Sequence, residues 1–263
     1  MNKTANKILS ISNLTVHYGD LEAVKSFNIS IEARERFCLV GESGSGKTTV
    51  ALSIVKLLPE SANVKGDVWV NDKHIYTLNK IQLMELRKKN ISIIFQDAIG
   101  SLIPGTSIRK QLFRVIKYRL GVSGEDEIRS QAIEFLIRVG LTDYERILAS
   151  YPSQLSGGMC QRIMIAMALC VKPSLVIADE PTSSVDVLTQ QKILELLINL
   201  QNEYNFALMF ITHDMRIAAH YSDFIGVMQN GRLIEENRSK NFFNNPQQLY
   251  SQQLVESAKL LSI

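Results

Sequence analysis

A glycine-rich stretch between two apolar segments constrains the fold of this chain most strongly. It reads Gly41-Glu-Ser-Gly-Ser-Gly-Lys47-Thr48 and matches the pattern GxxxxGK[ST]. The apolar run 36–40 before it predicts a buried strand, and the periodic apolar residues after it predict a helix that ends at Pro59. Glycines in such a turn let backbone N–H groups converge on a phosphate at a helix N-terminus, and Lys47 adds a positive charge. The stretch therefore predicts a phosphate-binding loop, with a simple glycine-rich turn as the alternative.

The loop and the first turn of the following helix supply most of the predicted nucleotide contacts. The Thr48 hydroxyl is a predicted Mg²⁺ ligand, since this pattern places it beside the bound phosphates. The predicted nucleotide-binding residues in this segment are Gly41, Glu42, Ser43, Gly44, Ser45, Gly46, Lys47, Thr48 and Thr49.

A second apolar run, 175–178, ends in two acids, Asp179 and Glu180. Carboxylates at the carboxyl end of a parallel strand lie beside the ligand crevice of an α/β sheet. We expect Asp179 to hold Mg²⁺ through water and Glu180 to polarise the attacking water. The alternative is a solvated acidic strand end without a catalytic role.

The segment Leu155-Ser156-Gly157-Gly158-Met159, followed by Gln161 and an apolar helix, resembles the signature motif of the ABC family. A serine and two glycines at a helix N-terminus form a second phosphate-binding end. The resemblance implies that Ser156, Gly157 and Gly158 close over the γ-phosphate of an ATP held by a partner subunit. ATP and Mg²⁺ are the cofactors that it implies.

Other landmarks of the ABC family follow in order along the chain. Gln96, after the run 91–95, resembles the glutamine that contacts Mg²⁺ in this family, and Asp186 lies in the stretch Ser184-Val185-Asp186 that resembles its D-loop. His213 resembles the histidine that hydrogen-bonds the γ-phosphate, and Tyr18 resembles the aromatic residue that stacks on adenine. The resemblance thus implies catalytic roles for Glu180, His213 and Gln96.

Alternating strands and helices predict an α/β fold, which the resemblance makes a P-loop NTPase core of the ABC ATPase type. We expect a mainly parallel sheet, an antiparallel β subdomain and a helical subdomain inserted at about 98–165. Residues 1–263 are interpreted as a single nucleotide-binding domain with a C-terminal helical tail at about 240–263.

Charge, apolar runs and cysteine spacing exclude several kinds of partner and site. The net charge of +3 is too small to indicate nucleic-acid binding, and the longest apolar run, 163–171, is too short to cross a bilayer. Cys38, Cys160 and Cys170 are far apart and odd in number, which favours plain packing over a disulfide framework or a zinc site. A chain of this kind would act at a membrane by docking onto another chain that spans it.

Three stretches resemble the ATPases of peptide and nickel importers: the signature LSGGM, the strip after Gln96, and the tail with Asn245-Pro246 and Leu249-Tyr250. Ala98, Ile103 and Cys160 depart from that pattern, which affects the substrate and not the ATPase assignment. The resemblance implies the ATPase subunit of a peptide importer, with nickel or a metal–chelate complex as the alternative cargo.

The implied partners are a second ABC ATPase subunit in a heterodimer, two permease subunits and an extracytoplasmic substrate-binding protein, with the chain peripheral on the cytoplasmic face of the cell (inner) membrane. Rival interpretations are a soluble ABC ATPase of DNA repair or translation, and a generic NTP-dependent kinase or switch.

Overall fold

Strands and helices alternate along most of the chain, as the hydrophobic pattern predicts. The computed structural model describes residues 7–183 and 185–260. In chain order the elements are β1 (Lys7–Tyr18), β2 (Leu21–Glu32), β3 (Arg36–Val40), α1 (Lys47–Ile54), β4 (Ala62–Val70), β5 (Lys73–His74), α2 (Lys80–Lys89), β6 (Ile91–Ile94), α3 (Ala98–Ser101), α4 (Ile108–Leu120), α5 (Glu125–Arg138), α6 (Tyr144–Ala149), α7 (Gly157–Leu169), β7 (Leu175–Asp179), α8 (Val187–Tyr204), β8 (Ala207–Thr212), α9 (Met215–Tyr221), β9 (Phe224–Gln229), β10 (Arg232–Arg238), α10 (Ser239–Asn244) and α11 (Leu249–Leu260).

The chain divides into two units. One contains the chain up to Met84 and from Asn205 onward, and the other contains Glu85–Tyr204. The combination of helices with parallel and antiparallel strands confirms the predicted α/β class. Three helices, α4, α5 and α6, lie between residues 106 and 150. In the predicted C-terminal helical tail, the described residues form α10 and α11, with Pro246 between them.

An antiparallel sheet in the first unit has the strand order β2-β1-β4-β5. Its central strand β1 alternates in burial, so that Leu9, Ile11, Leu14 and Val16 face the core. A hairpin turn at Asn71-Asp72 joins β4 to β5, and both turn residues adopt positive φ.

Parallel strands in the same unit set the position of the phosphate loop. β3 pairs in parallel with β8 on one side and β9 on the other, and β10 pairs antiparallel with β9. All six residues of β8 are buried, as expected for a parallel strand covered on both faces. Val40 is in register with Thr212, so Gly41 and His213 leave neighbouring strands at the same sheet edge.

The second unit contains the parallel pair β6 and β7 and the helices α3 to α8. Ile94 is in register with Ala178, so the residues after the two strands emerge side by side. Among residues 7–183 and 185–260, no helix has both the length and the apolar composition needed to cross a bilayer. The three cysteines are buried free thiols, in agreement with the packing role predicted for them.

Arg119, near the end of α4, connects three segments of the second unit. Its guanidinium donates to four backbone oxygens, those of Arg87 (3.2 Å), Lys88 (3.1 Å), Ile91 (2.9 Å) and, in α7, Ala168 (3.4 Å). The planar group thereby satisfies carbonyls at the end of α2 and at the start of β6.

We expect Arg119→Met to lower the free energy of unfolding by about 2–4 kcal/mol, because four hydrogen bonds are lost and the backbone carbonyls lose these donors. Urea denaturation measures the change. Lys117→Met, at an exposed position of the same helix, is the control and should leave the unfolding midpoint near that of the wild type. Equal stability of the two variants would contradict the connecting role of Arg119.

Glu35, in the turn between β2 and β3, carries a carboxyl that is half-buried. Burial raises its pKa from 4.5 to about 7, and the nearby carboxylates of Glu32, Asp223 and Glu236 act in the same direction. The folded state therefore holds a proton that the unfolded state releases between about pH 4.5 and 7. The contribution of Glu35 to stability is complete below this window and is lost as pH rises through it.

We expect Glu35→Gln to remove this loss, because the neutral amide retains a hydrogen-bond acceptor and never ionises. The difference in free energy of unfolding between variant and wild type should grow in favour of the variant from pH 4.5 to pH 8. Denaturant titrations at several pH values measure it, with Glu60→Gln in an exposed turn as the control. A difference that is constant with pH would show that Glu35 ionises normally in the folded protein.

Candidate nucleotide-binding site

The predicted phosphate loop lies between β3 and α1 and encloses the side chain of Lys47. Lys47 is only 6% exposed, and its ammonium donates to the carbonyl oxygens of Gly41 and Glu42, both at 2.8 Å. The Ser45 Oγ lies 3.4 Å from the same nitrogen. A buried cation must be matched by hydrogen-bond acceptors, and here the loop backbone provides them. The loop therefore holds a positive charge at the N-terminus of a helix, where an anion binds most readily.

Gly46 shows why this loop requires glycine. Its φ is +105°, and a Cβ there would lie 2.5 Å from the Ala23 oxygen and 2.7 Å from the Met228 side chain. The loop backbone thus packs directly against β2 and β9. Gly44 also has a positive φ, of +79°, but a Cβ there would meet no atom within 4 Å.

The other predicted site residues of the first unit lie on α1, at the end of β1 and after β8. Thr48 and Thr49 lie in the first turn of α1, with the Thr48 side chain exposed. Tyr18 is the last residue of β1 and is half-buried. His213 is exposed and follows β8, the strand next to β3. The contacts of Tyr18 with adenine and of His213 with phosphate stay predictions.

In the second unit, the structure brings Gln96 and Glu180 together. Gln96 Nε2 donates to Glu180 Oε2 at 3.1 Å. The contact follows from the strand register, because Gln96 lies two residues beyond Ile94 and Glu180 two beyond Ala178. Two residues that are 84 positions apart in the chain thus form one hydrogen-bonded pair at the carboxyl ends of β6 and β7.

The backbone at Glu180 is unusual for a residue with a side chain. Its φ is +45°, and its carbonyl accepts from the Ser183 N–H at 3.3 Å and from the Ser183 hydroxyl at 3.2 Å. A non-glycine residue in the left-handed region costs about 1–3 kcal/mol, and such residues cluster at functional sites. The conformation makes a tight turn directly after the strand.

The predicted Mg²⁺ ligands have chemistry that fits this ion. Mg²⁺ prefers oxygen ligands and usually keeps several waters. Thr48 offers a hydroxyl, and Asp179 offers a carboxylate that is 7% exposed at the end of β7. Gln96 uses its amide nitrogen on Glu180, so its carbonyl oxygen is the atom suited to a cation.

The signature segment forms the start of α7. Ser156 precedes the helix, and its Oγ accepts from the Met159 N–H at 3.3 Å. Gly157 and Gly158 form the first turn, and a Cβ on Gly158 would lie 2.7 Å from Thr189 Cγ2. Gly158 therefore also permits the close approach of α7 and α8, a packing role that the sequence does not indicate.

Asp186 occupies the position before α8. Its Oδ1 accepts from the Thr189 N–H at 3.0 Å, and this hydrogen bond lowers the pKa of Asp186. The carboxylate caps the helix, while its predicted nucleotide contact stays a prediction. Ser184, the first residue of the predicted D-loop, lies outside the described residues.

Two residues from the C-terminal part of the chain contact the phosphate loop. The Gly231 N–H donates to the backbone carbonyl oxygen of Ser45 at 3.1 Å, and the Tyr250 hydroxyl accepts from the Glu42 N–H at 3.1 Å. The sequence carries no signal for the second contact, because its partners are 208 residues apart and belong to separate motifs.

We expect Gly46→Ala to be more destabilising than Gly44→Ala by about 1–3 kcal/mol. Both substitutions place alanine at positive φ, but only the Gly46 variant drives a methyl group into a backbone carbonyl. Chemical denaturation of the two variants measures the difference. Equal unfolding midpoints would show that the loop can move away from β2 and β9 at no cost.

The chain is similar to ATP-binding proteins of known transport systems. The family model described as ABC transporter matches residues 24–183. The metal-staphylopine import system ATP-binding protein CntD of Staphylococcus aureus is 35% identical over 257 residues, which cover 97% of this chain and 94% of that protein. The oligopeptide transport ATP-binding protein OppD of Salmonella typhimurium is 37% identical over 98% of this chain and 78% of its own length.

A solved structure shows the same fold. The ATP-binding cassette MJ0796, a dimer in a post-hydrolysis state with ADP and Pi, superposes with a TM-score of 0.77 at 29% identity, covering 88% of this chain and 98% of that one. The predicted P-loop NTPase fold of the ABC type is thereby confirmed. The chain belongs to the ABC transporter family and is an ATP-binding, ATP-hydrolysing member of it.

Proposed function

We propose that the chain is the ATPase subunit of an ABC import complex and couples ATP hydrolysis to the uptake of peptides. The enzymatic part of the proposal rests on one observation, the Lys47 ammonium held inside the loop 41–46 by its carbonyls. The transport part rests on the similarity to import proteins along nearly the whole chain.

ATP binding uses the loop as an anion site. Upon binding, the Lys47 ammonium would exchange loop carbonyls for phosphate oxygens, while the N–H groups of loop residues and of the first turn of α1 donate to the same phosphates. Tyr18 would stack on the adenine ring. Thr48, Gln96 and Asp179 would hold Mg²⁺, which neutralises charge on the phosphate oxygens when it is bound.

Hydrolysis uses Glu180 as the base. A water oxygen forms a bond to the γ-phosphorus, the bond from that phosphorus to the bridging oxygen of ADP breaks, and the water proton passes to the Glu180 carboxylate. The hydrogen bond from Gln96 Nε2 to Glu180 Oε2 supports this role, because it orients the carboxylate that would accept the water proton. His213 would donate a hydrogen bond to the γ-phosphate.

The complete site requires a second ATPase chain. Ser156, Gly157 and Gly158 would close over the γ-phosphate held by that chain, and Asp186 would lie at the same interface. We propose a heterodimer with a related ATPase, bound to two permease subunits on the cytoplasmic face of the cell membrane. An extracytoplasmic substrate-binding protein would deliver the cargo to those permeases.

A second candidate cargo is nickel or a metal–chelate complex. It is favoured by the similarity to CntD, a metal-staphylopine import protein, over 97% of this chain and 94% of that one. The similarity to OppD, an oligopeptide transport protein, favours peptide.

Purification of the chain from its native membranes in detergent tests the transport role. Two permease chains should co-purify, and the complex in proteoliposomes should take up a labelled tripeptide when ATP and the substrate-binding protein are supplied. Uptake of ⁶³Ni²⁺, free or chelated, without peptide uptake would favour the second cargo. Isolation of the chain without permeases would favour a non-transport ABC ATPase.

We expect Glu180→Gln to lower ATP turnover of the assembled complex by about 10²–10⁴-fold, because the amide cannot accept the water proton. ATP binding should persist, so the variant should retain ATP in a closed dimer. Phosphate release and retained [α-³²P]ATP measure the two effects. Glu127→Gln, in the exposed first turn of α5, is the control, and unchanged turnover in Glu180→Gln would refute the assignment of the base.

A further inference from the structure

The C-terminal helix α11 contacts the phosphate loop through one side chain. The Glu42 N–H donates to the Tyr250 hydroxyl oxygen at 3.1 Å. This N–H belongs to the same peptide unit as the Gly41 carbonyl, which accepts from the Lys47 ammonium at 2.8 Å. Because a peptide unit is planar and rigid, the two contacts hold it from opposite sides. A rotation of the Gly41–Glu42 peptide would break both hydrogen bonds.

Tyr250 is itself held in place by the start of its helix. The Glu235 carboxylate, 8% exposed, accepts from the Gln247 N–H at 2.9 Å with one oxygen and from the Gln248 N–H at 3.0 Å with the other. These N–H groups precede α11, so Glu235 of β10 caps the helix. Ser251, the residue after Tyr250, is fully buried. The start of α11, which carries Tyr250, is thus held by a charge-assisted cap and by the burial of Ser251.

A polar cavity of about 200 Å³ lies beside this contact. It is lined by the loop residues 42–45, by Gln229 and Asn230 of the β9–β10 turn, and by Tyr250. In the turn between β9 and β10, the Gly231 N–H donates to the backbone carbonyl oxygen of Ser45. Burial raises the pKa of Tyr250. The loop is therefore supported from two directions by the C-terminal part of the chain.

We propose that Tyr250 is a positioning residue of the nucleotide site, through which the C-terminal helix sets the affinity of the phosphate loop for ATP. The inference rests on the proposed function, in which ATP binds at residues 41–48. When Lys47 exchanges the Gly41 carbonyl for phosphate oxygens, the Gly41–Glu42 peptide loses the contact on its carbonyl side. The Tyr250 hydroxyl is then the contact that keeps the peptide in its binding conformation.

The test is ATP binding to the full chain with Mg²⁺, measured by titration calorimetry for the wild type, Tyr250→Phe and Tyr118→Phe. Tyr250→Phe removes only the hydroxyl, so we expect the Kd for ATP to rise about two- to tenfold, as for the loss of one hydrogen bond. In the assembled complex, KM for ATP should rise by a similar factor, with kcat within about twofold. Tyr118→Phe, which removes a hydroxyl from an exposed ring on α4, should bind ATP as the wild type does.

A second variant examines the route through the helix cap. Glu235→Gln removes one of the two acceptors at the start of α11 and should also raise the Kd. If Glu235 and Tyr250 both act through the Gly41–Glu42 peptide, the losses of ATP binding free energy in Glu235→Gln and Tyr250→Phe should be less than additive in the double variant. Fully additive effects would overturn the route through α11.

The outcomes separate the inference from the function on which it rests. ATP binding by the wild type that is lost in Lys47→Ala supports the proposed site, and an unchanged Kd in Tyr250→Phe would then overturn the inference alone. Absence of ATP binding by the wild type would overturn the proposed site and the inference with it. A rise in Kd of the same size in Tyr118→Phe would also overturn the specific role of Tyr250.

Discussion

The nucleotide site depends on the hydrogen bonds from the buried Lys47 side chain to the carbonyls of its own loop. A cation that is 6% exposed needs acceptors on several sides, and the loop supplies them only if the carbonyls of Gly41 and Glu42 turn inward. The same loop has positive φ at Gly46, where it packs closely on β2 and β9. The loop follows the parallel strand β3 and leads into the helix α1. A glycine, which has no side chain, stands where the loop contacts β2 and β9.

Strand register places the other groups of the site. In the first unit, the pairing of Val40 with Thr212 puts the starts of the phosphate loop and of the His213 segment at one sheet edge. In the second, the pairing of Ile94 with Ala178 brings Gln96 to Glu180. Parallel strands present their carboxyl ends on one side, so within each unit the paired strands bring polar residues to the same edge while their own residues stay buried.

Several residues of the motifs also have structural roles. Ser156 caps α7, Asp186 caps α8, and Gly158 allows these two helices to approach. Each of these contacts would be needed to place the segment even without a ligand. Helix N-termini allow both roles, because the N–H groups that need a cap in the free protein are also those that can donate to a phosphate.

The sequence by itself determined the local features: the loop 41–48 between a strand and a helix, the acids that end β7, and the helix start at the signature segment. Each depends on residues that are near one another in the chain, so periodicity and turn chemistry suffice to predict them. Only the tertiary structure decided that Gln96 meets Glu180, that Gly158 faces Thr189, and that Tyr250 holds the Gly41–Glu42 peptide. These contacts depend on strand register and on the packing of distant helices, which bring together residues up to 208 positions apart.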